Sequence, residues 1–200
     1  MIIEIPQFGL RAYALFYLKH SSTEPFKQLE LDWIVSQSMK KKIFSLLLRS
    51  GWIIKESKDT YTCIEPNKIF DGLLEFKVSE LIKKAKKPYA FTGLSAVEIW
   101  SDYSYVQRGI EKSPYFIKVL KKDLRYWKEF FNKHSVSNYA NKGSTIGEYV
   151  ILITVVKIKA TIKGGLSVEP LKDTLKIAKE NEMYSYPYDY MKEAYGSVTT

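Results

Sequence analysis

The sequence predicts an α+β protein that divides into two unlike halves. Up to Arg49, apolar residues recur at the three- and four-residue spacing of helices, and after Gly51 they alternate as they do in a hairpin. The remainder of the chain alternates between short strand-like and helix-like segments, which is typical of a sheet covered by helices. We therefore predict an N-terminal domain over residues 1–72 and a small α/β domain over residues 73–200.

The composition favours a polyanionic partner. Thirty-one Lys and Arg residues against twenty-two Asp and Glu residues give a formal net charge of +9. Such an excess favours nucleic acids, because each phosphate neutralised by a basic side chain releases a counterion. The single cysteine excludes an intramolecular disulfide and a cysteine-based zinc site, and the two histidines are too few for a His-rich metal site. We predict neither a metal ion nor a cofactor.

Targeting signals are absent from the sequence as it stands. The amino terminus, Met-Ile-Ile-Glu-Ile-Pro, lacks the basic start and long apolar stretch of a signal peptide. The longest apolar run, residues 149–156, is far shorter than a membrane-spanning helix. We expect a cytoplasmic protein that has no membrane partner.

The first half contains three predicted helices. In chain order they are residues 8–19, a helix that opens at Pro25 and carries Phe26, Leu29, Trp33 and Ile34, and residues 39–49. A short polar turn of Ser, Gln and Ser precedes the third helix. Gly51 follows it and is expected to act as a left-handed C-cap.

A hairpin follows the third helix directly. Residues 52–56 and 60–64 read as its strands, with a tight turn at residues 57–59. Three helices and then a hairpin is the order of a winged helix-turn-helix, so we predict that fold for the N-terminal domain. Pro66 interrupts the pattern, and residues 69–76 read as a connecting helix or linker.

The second half predicts a three- or four-stranded sheet. The strands are residues 89–92, 115–120 and 149–160, and the helices are residues 78–87, 94–100, 122–133 and a last region after Pro170. The tail beyond that region carries several tyrosines, which could stack on single-stranded bases but are more typical of a core or dimer interface.

The predicted third helix supplies the candidate DNA-binding residues. In a helix-turn-helix this helix lies in the major groove with its first residues at the base edges, while wing residues reach phosphate or the minor groove. Gln, Lys and Ser can all pair with base edges. A run of three lysines can equally be a solvated helix face. The candidates are Ser36, Gln37, Ser38, Lys41, Lys42 and Ser45 on the helix, and Lys55 and Lys58 on the wing.

Two segments resemble known regulators. The run from Leu47 to Lys55, followed by Tyr61, resembles the end of the recognition helix and the wing in many bacterial and archaeal regulators. The run from Pro88 to Val97 is similar to the start of the second domain in AbiE-type antitoxin regulators. Those proteins join a winged helix to a small α/β domain, repress transcription and can accompany a nucleotidyltransferase toxin.

The resemblance implies a sequence-specific repressor that is the antitoxin of a toxin–antitoxin pair. Its implied partners are double-stranded DNA, a second copy of the chain and a cognate nucleotidyltransferase toxin. The implied second domain is a degenerate nucleotidyltransferase-like fold. A winged helix that serves as a protein-interaction module remains an alternative.

A nucleotidyltransferase-like enzyme is the other alternative. Thr92-Gly93-Leu94-Ser95 resembles the strand-to-helix turn of such enzymes, in which two nearby carboxylates hold Mg²⁺. Asp102 comes nearest to the first of these acids, and Ser104 stands where the second belongs. Residues 115–119 and 149–160 contain no carboxylate. We therefore predict no catalysis, and Gly93 and Ser95 can be a tight turn and a helix cap.

Overall fold

A computed structural model describes residues 5–106 and 108–196 of the chain. The chain divides into two compact units, of which the first ends at Glu75 and the second begins at Phe76. This division lies three residues beyond the boundary that the sequence suggests. The described residues are mixed α+β, as predicted, with one three-stranded and one six-stranded sheet.

The N-terminal unit is a small helical cluster on a three-stranded sheet. The sheet is antiparallel with the order β1-β3-β2. In chain order the elements are α1 (Gln7–His20), β1 (Phe26–Lys27), a 3-10 turn (Gln28–Leu31), α2 (Gln37–Arg49), β2 (Ile53–Lys55), β3 (Thr60–Cys63) and α3 (Pro66–Leu74).

The prediction of a second helix after Pro25 is wrong. Phe26 pairs with Tyr61 across β1 and β3, and its ring stacks on Phe16 with 4.1 Å between centroids. The spacing of the apolar residues suits a helix, but strand pairing buries Phe26 and satisfies its backbone at the same time. Only a short 3-10 turn follows, and Trp33, which the helix would have buried, is 81% exposed.

The end of α2 and the hairpin after it are as predicted. Gly51 has a φ of +71°, and the N–H of Trp52 donates to the carbonyl of Leu47 at 3.0 Å, which is the Schellman arrangement. The left-handed residue turns the chain directly into β2. The hairpin side chains Ile53, Tyr61 and Cys63 then join the buried cluster formed by α1 and α2.

The C-terminal unit is a six-stranded mixed sheet with helices. The sheet order is β6-β7-β5-β4-β9-β8. In chain order the elements are α4 (Val78–Leu81), β4 (Tyr89–Phe91), α5 (Gly93–Trp100), β5 (Lys112–Leu120), α6 (Leu124–Lys133), β6 (Ser137–Ala140), β7 (Gly147–Val155), β8 (Thr161–Lys163), β9 (Leu166–Val168), α7 (Leu171–Lys179) and α8 (Ser185–Tyr195).

The prediction of three or four strands is wrong, because three short strands carry weak signals. β6 has a polar sequence of half-buried residues, so it shows no apolar alternation. β8 and β9 form a hairpin whose turn is Gly164 and Gly165, both with positive φ. A Gly-Gly pair between short apolar segments is a known hairpin signal, so this pair of strands could have been identified.

Two buried clusters hold the C-terminal unit together. One lies between the sheet and α6, where Trp127 and Phe131 contact the apolar face formed by Phe91, Ile117 and neighbouring strand residues. The other joins α5 to α7 and α8 through Val97, Leu171, Ala178 and Met191. Because α5 contributes to both clusters, it is sandwiched in the middle of the unit. Among the described residues, no helix combines the length and apolarity needed to cross a membrane.

Candidate nucleic-acid interface

One face of α2 is exposed along its whole length. Ser38, Lys41, Lys42 and Ser45 recur at spacings of three and four and are all exposed, whereas the opposite face is buried in the core. We call this exposed stripe the α2 face. It contains four of the eight candidate residues that the sequence suggests, and α2 contains no acidic residue.

The start of α2 differs from the prediction. The helix begins at Gln37 rather than Met39, and Ser36 is its N-cap, whose hydroxyl accepts from the N–H of Met39 at 3.3 Å. Gln37 donates its amide to Asp32 at 3.1 Å. Ser36 and Gln37 are therefore both engaged in forming the turn before α2, at the edge of the α2 face.

The lysine triplet divides into one structural and two exposed residues. Lys40 is buried and forms an ion pair with Asp32. That contact holds the pKa of Asp32 below its usual value, chiefly through the hydrogen bond from Lys40. Lys41 and Lys42 are exposed, with the Lys42 ammonium 5.2 Å from the centroid of the Phe8 ring.

Sequence reasoning missed Arg49. This exposed residue lies four positions after Ser45 and seven after Lys42, so it extends the α2 face at the last turn of the helix. The spacing was visible in the sequence. With Lys41 and Lys42, Arg49 gives the α2 face three cations.

The β2–β3 hairpin, which the sequence predicts to be a wing, carries no net charge. Lys55 and Lys58 are exposed, as expected of phosphate-binding residues, but the exposed acids Glu56 and Asp59 lie beside them. Glu56 also accepts a hydrogen bond from the Thr62 hydroxyl at 2.8 Å across the hairpin. Attraction of the wing to phosphate is therefore weaker than its two lysines alone would give.

The excess positive charge lies almost entirely in the second half of the chain. Residues 1–75 contain ten Lys and Arg and nine Asp and Glu, and contribute +1 of the formal +9. Residues 76–200 contain twenty-one Lys and Arg and thirteen Asp and Glu, and contribute +8.

Much of this charge gathers at one end of the six-stranded sheet. β5 and β7 are parallel and end side by side at Leu120 and Val155, and antiparallel β4 begins beside them at Tyr89. The segments before β4 and after β5 and β7 therefore meet at this end. Together with the first two turns of α6 they contribute ten exposed cations, which we call the cationic sheet end: Lys83, Lys84, Lys86, Lys87, Lys121, Lys122, Arg125, Lys128, Lys157 and Lys159.

Few acids offset the cationic sheet end. Lys83 pairs with Glu80 at 2.8 Å, Lys87 with Asp123 at 3.4 Å and Arg125 with Glu129 at 2.9 Å. The pairs of Lys83 and Arg125 are exposed, so they contribute little to stability and compete weakly with a phosphate, whereas Lys87 pairs with a buried carboxylate. The sheet end is therefore a concentrated positive surface that lacks the regular spacing of a helix face.

The turn that resembles a nucleotidyltransferase is closed by an internal carboxylate. Buried Glu169 accepts from the Thr92 hydroxyl at 2.6 Å, from the Gly93 N–H at 3.2 Å and from the Lys118 ammonium at 2.6 Å. The Ser95 hydroxyl accepts from the N–H of Phe116 at 3.0 Å. The groups that would approach a nucleotide phosphate thus have partners within the protein.

Asp102 fastens the last helix rather than facing a second acid. It pairs with Lys163 at 2.7 Å and accepts hydrogen bonds from Tyr190 and Tyr195 of α8. The hydrogen bond from Lys163 is the main reason that the pKa of Asp102 is lowered. In the described part of the chain, no group of three or more His, Cys, Asp and Glu side chains is arranged to hold a metal ion.

β7 differs in detail from the predicted strand, whereas the tyrosine tail packs against the core, as the sequence favours. β7 begins at Gly147 and so includes Glu148, which the predicted strand omitted; its carboxylate accepts from the N–H of Lys77 and of Val78 at 3.0 Å. In the tail, Tyr184, Tyr188 and Tyr195 pack against the cluster around Met191. These rings therefore serve the interior of the unit.

Comparison with known proteins assigns no family to the chain. No protein-family model matches the chain, and no curated protein matches it. The function must be inferred from the geometry described above.

Proposed function

We propose that this protein is a sequence-specific DNA-binding transcription regulator whose N-terminal unit is a winged helix-turn-helix. The order of α1, β1, a short turn, α2 and a hairpin supports this reading, as does the sheet order β1-β3-β2. In this arrangement α2 is the recognition helix, and the 3-10 turn with residues 32–36 takes the place of the helix and turn before it.

The α2 face is the observation that carries the proposal. An exposed, acid-free stripe with one serine in the first turn, a second near its middle and cations beside them matches what a recognition helix requires. The serines can read base edges, and the cations can pair with guanine or with phosphate.

The cationic sheet end supplies a second source of affinity. Phosphate contacts are independent of sequence, so a polybasic surface in the second unit would strengthen binding to any duplex. Under this proposal the α2 face provides sequence preference, and the sheet end provides much of the salt-dependent affinity.

Binding to a random duplex over a series of salt concentrations tests the proposal. Four to six contacts from α2 and the wing alone give a log–log slope of roughly −4 to −5 per protomer, and the sheet end makes it steeper. A flat salt dependence, or no duplex binding at low salt, contradicts the proposal.

Selection of preferred sites from a pool of random duplexes tests sequence reading. Ser45→Ala should weaken discrimination at one position of the selected site by about 1–3 kcal/mol. Thr23→Ala, which removes an exposed hydroxyl outside α2, is the control and should leave the selected site unchanged.

We further propose that the regulator is a repressor, works as a homodimer and neutralises a nucleotidyltransferase toxin. The support is the resemblance of residues 47–55 and 88–97 to antitoxin regulators, together with the paired half-sites that such regulators bind. Co-expression with a nucleotidyltransferase encoded beside it, and a reporter under its own promoter, test the two roles separately.

A winged-helix protein-interaction module is the second candidate. The neutral wing and Trp33, which is 81% exposed, favour it. An enzymatic role has less support, because Glu169 engages the nucleotide-like turn and Asp102 fastens α8. Incubation with labelled nucleoside triphosphates and Mg²⁺ tests it, and product that disappears in Asp102→Ala would favour the enzyme.

A further inference from the structure

The C-terminal unit contains a cavity that the proposed function does not use. Its volume is about 320 Å³, at the lower end of the range for small-molecule sites. Apolar side chains form most of its wall: Phe76, Phe91, Ile99, Val106 and Leu166. The polar side chains at the wall are Ser79, Glu98, Tyr103, Arg108 and Tyr115.

A buried ion pair lies in the wall of this cavity. Glu98 is fully buried, the Arg108 side chain is 8% exposed, and the two are bonded to each other. The guanidinium lies 3.5 Å from the centroid of the Tyr115 ring, and Nε of Arg108 has no hydrogen-bond partner among the described residues. Burial lowers the pKa of Arg108. Burying such a pair in an apolar region is costly, so its presence calls for an explanation other than stability.

The rim of the cavity is conformationally unusual. Asp102 and Tyr103 are consecutive non-glycine residues with positive φ, at 50° and 59°. Residues of this kind cost free energy and cluster at ligand sites, where the surrounding structure holds them in place. The result here is that the Tyr103 ring, 53% exposed, stands at the edge of the cavity.

The charges around the cavity select against ionic ligands. Glu98 and Arg108 neutralise each other, and the half-buried Glu148 lies close enough to act on both Arg108 and Tyr115. The paired Glu98 and Arg108 offer no net counter-charge to an anion or to a cation, and the Glu148 carboxylate is already bonded by the N–H groups of Lys77 and Val78. The Ser79 side chain is hydrogen-bonded to Tyr115, which leaves the hydroxyls of Tyr103 and Tyr115 to donate to a ligand, and the apolar wall suits a flat ring.

We propose that this cavity binds a small, uncharged, planar aromatic molecule that carries a hydrogen-bond acceptor. The apolar wall contacts the ring faces, and the hydroxyls at the wall bond the acceptor. The site stands on the geometry of the C-terminal unit alone, so it holds whether or not the N-terminal unit binds DNA. If the protein is a regulator, such a molecule would be its effector.

Three isosteric probes test the charge selectivity on the full-length protein. They are 2-naphthamide, which is uncharged, 2-naphthoate, which is its anionic counterpart, and 2-naphthylmethylamine, which is its cationic counterpart. NMR titration should give 2-naphthamide a dissociation constant at or below about 1 mM, a realistic affinity for a ligand of this size. The two ionic probes should bind at least about tenfold more weakly.

Two variants locate the binding. Val106→Trp fills the mouth of the cavity from a half-exposed position and should weaken 2-naphthamide binding at least about tenfold. Ile146→Trp adds the same ring at a position that is 81% exposed, and should leave the affinity unchanged. Glu98→Gln removes the carboxylate beside Arg108 and should shift the preference toward 2-naphthoate.

The proposal is overturned if no probe binds, if an ionic probe binds the unchanged protein best, or if Val106→Trp binds 2-naphthamide as well as Ile146→Trp does. Should Glu98→Gln fail to fold, the comparison of Val106→Trp with Ile146→Trp decides alone. DNA binding measured on the same variants is a separate readout, so a failed regulator proposal would leave this result intact.

Discussion

The two units differ in how they present positive charge. The N-terminal unit contributes only +1, but it orders three cations and two serines along one acid-free helix face. The C-terminal unit contributes +8, and ten of its cations crowd one end of a sheet without any such order. Net charge and the ordered placement of polar side chains are therefore separate properties, and this chain divides them between its units.

The formal charge of the whole chain conceals this difference between the two units. A value of +9 suggests that the predicted recognition domain is the basic part, whereas that domain is nearly neutral. Phosphate affinity depends on the number of cations that reach the backbone, and base reading depends on the position of a few side chains.

Phe26→Ala should give the largest effect, on the stability of the N-terminal unit. The variant removes a buried ring that stacks on Phe16, at a residue whose backbone pairs with β3, so a loss of about 3–5 kcal/mol in the free energy of unfolding is expected. Denaturant unfolding measures it. Trp33→Ala, on the exposed turn nearby, is the control and should cost little. Equal losses of stability in the two variants would contradict the burial of Phe26 in β1 and would favour the helix that the sequence predicts.

Charge reversal at the cationic sheet end should weaken binding to every duplex. Lys121→Glu with Lys122→Glu should lower affinity at least about tenfold near 0.1 M salt and flatten the log–log slope by about two, without altering the preferred sequence. Lys172→Glu with Lys179→Glu changes the net charge equally on α7 and is the matched control. If both pairs weaken binding alike, only net charge matters and the sheet end is not a contact surface.

Arg49→Ala should change the salt slope of duplex binding more than Lys58→Ala does. This difference is smaller than the effect of charge reversal at the cationic sheet end. Removing one phosphate contact lowers the salt slope by about one, and Arg49 has no acid beside it on α2. Lys58 lies beside Asp59, so its removal should change the slope by less. Anisotropy titrations of the two variants measure the difference. A larger change for Lys58 would mean that the wing is the main contact of this unit.

The smallest effect concerns pH and the C-terminal unit. The lowered pKa of Asp102 means that its contacts stabilise the protein above the ordinary carboxyl pKa, and that this stability is lost as pH falls through the lowered value. Asp102→Asn should therefore melt below the unchanged protein at pH 7, and the gap should narrow below about pH 4. A gap that is constant with pH would show that the carboxylate charge has no part in fastening α8.

The sequence was most informative where one local signal decided the structure. Gly51 fixes the end of α2 and sends the chain into the hairpin, and a left-handed glycine before alternating residues is readable without any tertiary knowledge. A local signal also predicts β7, through its run of β-branched residues, and α6, through its helical spacing of apolar residues. β7 spans Gly147–Val155 rather than the predicted residues 149–160.

Features that depend on distant partners were not readable. Phe26 is in a strand because Tyr61 lies opposite it, and Lys40 is buried because Asp32 pairs with it. The cationic sheet end required the strand order, which brings residues 83–87, 121–128 and 157–159 together from separate parts of the chain. The candidate residues on α2 needed only helical spacing, but two of them, Ser36 and Gln37, form its capping turn instead of extending its exposed face.

Charge reversal on the α2 face tests the central claim most directly. The measurement compares binding of Lys41→Glu with Lys42→Glu, and of Lys19→Glu with Lys68→Glu, to a selected duplex and to a random one. Both pairs change the net charge of the N-terminal unit equally, and all four residues are exposed. The account predicts that the α2 pair abolishes the preference for the selected duplex, while the control pair keeps it with only a modest loss of affinity. An α2 pair that keeps its sequence preference would contradict α2 as the reading element.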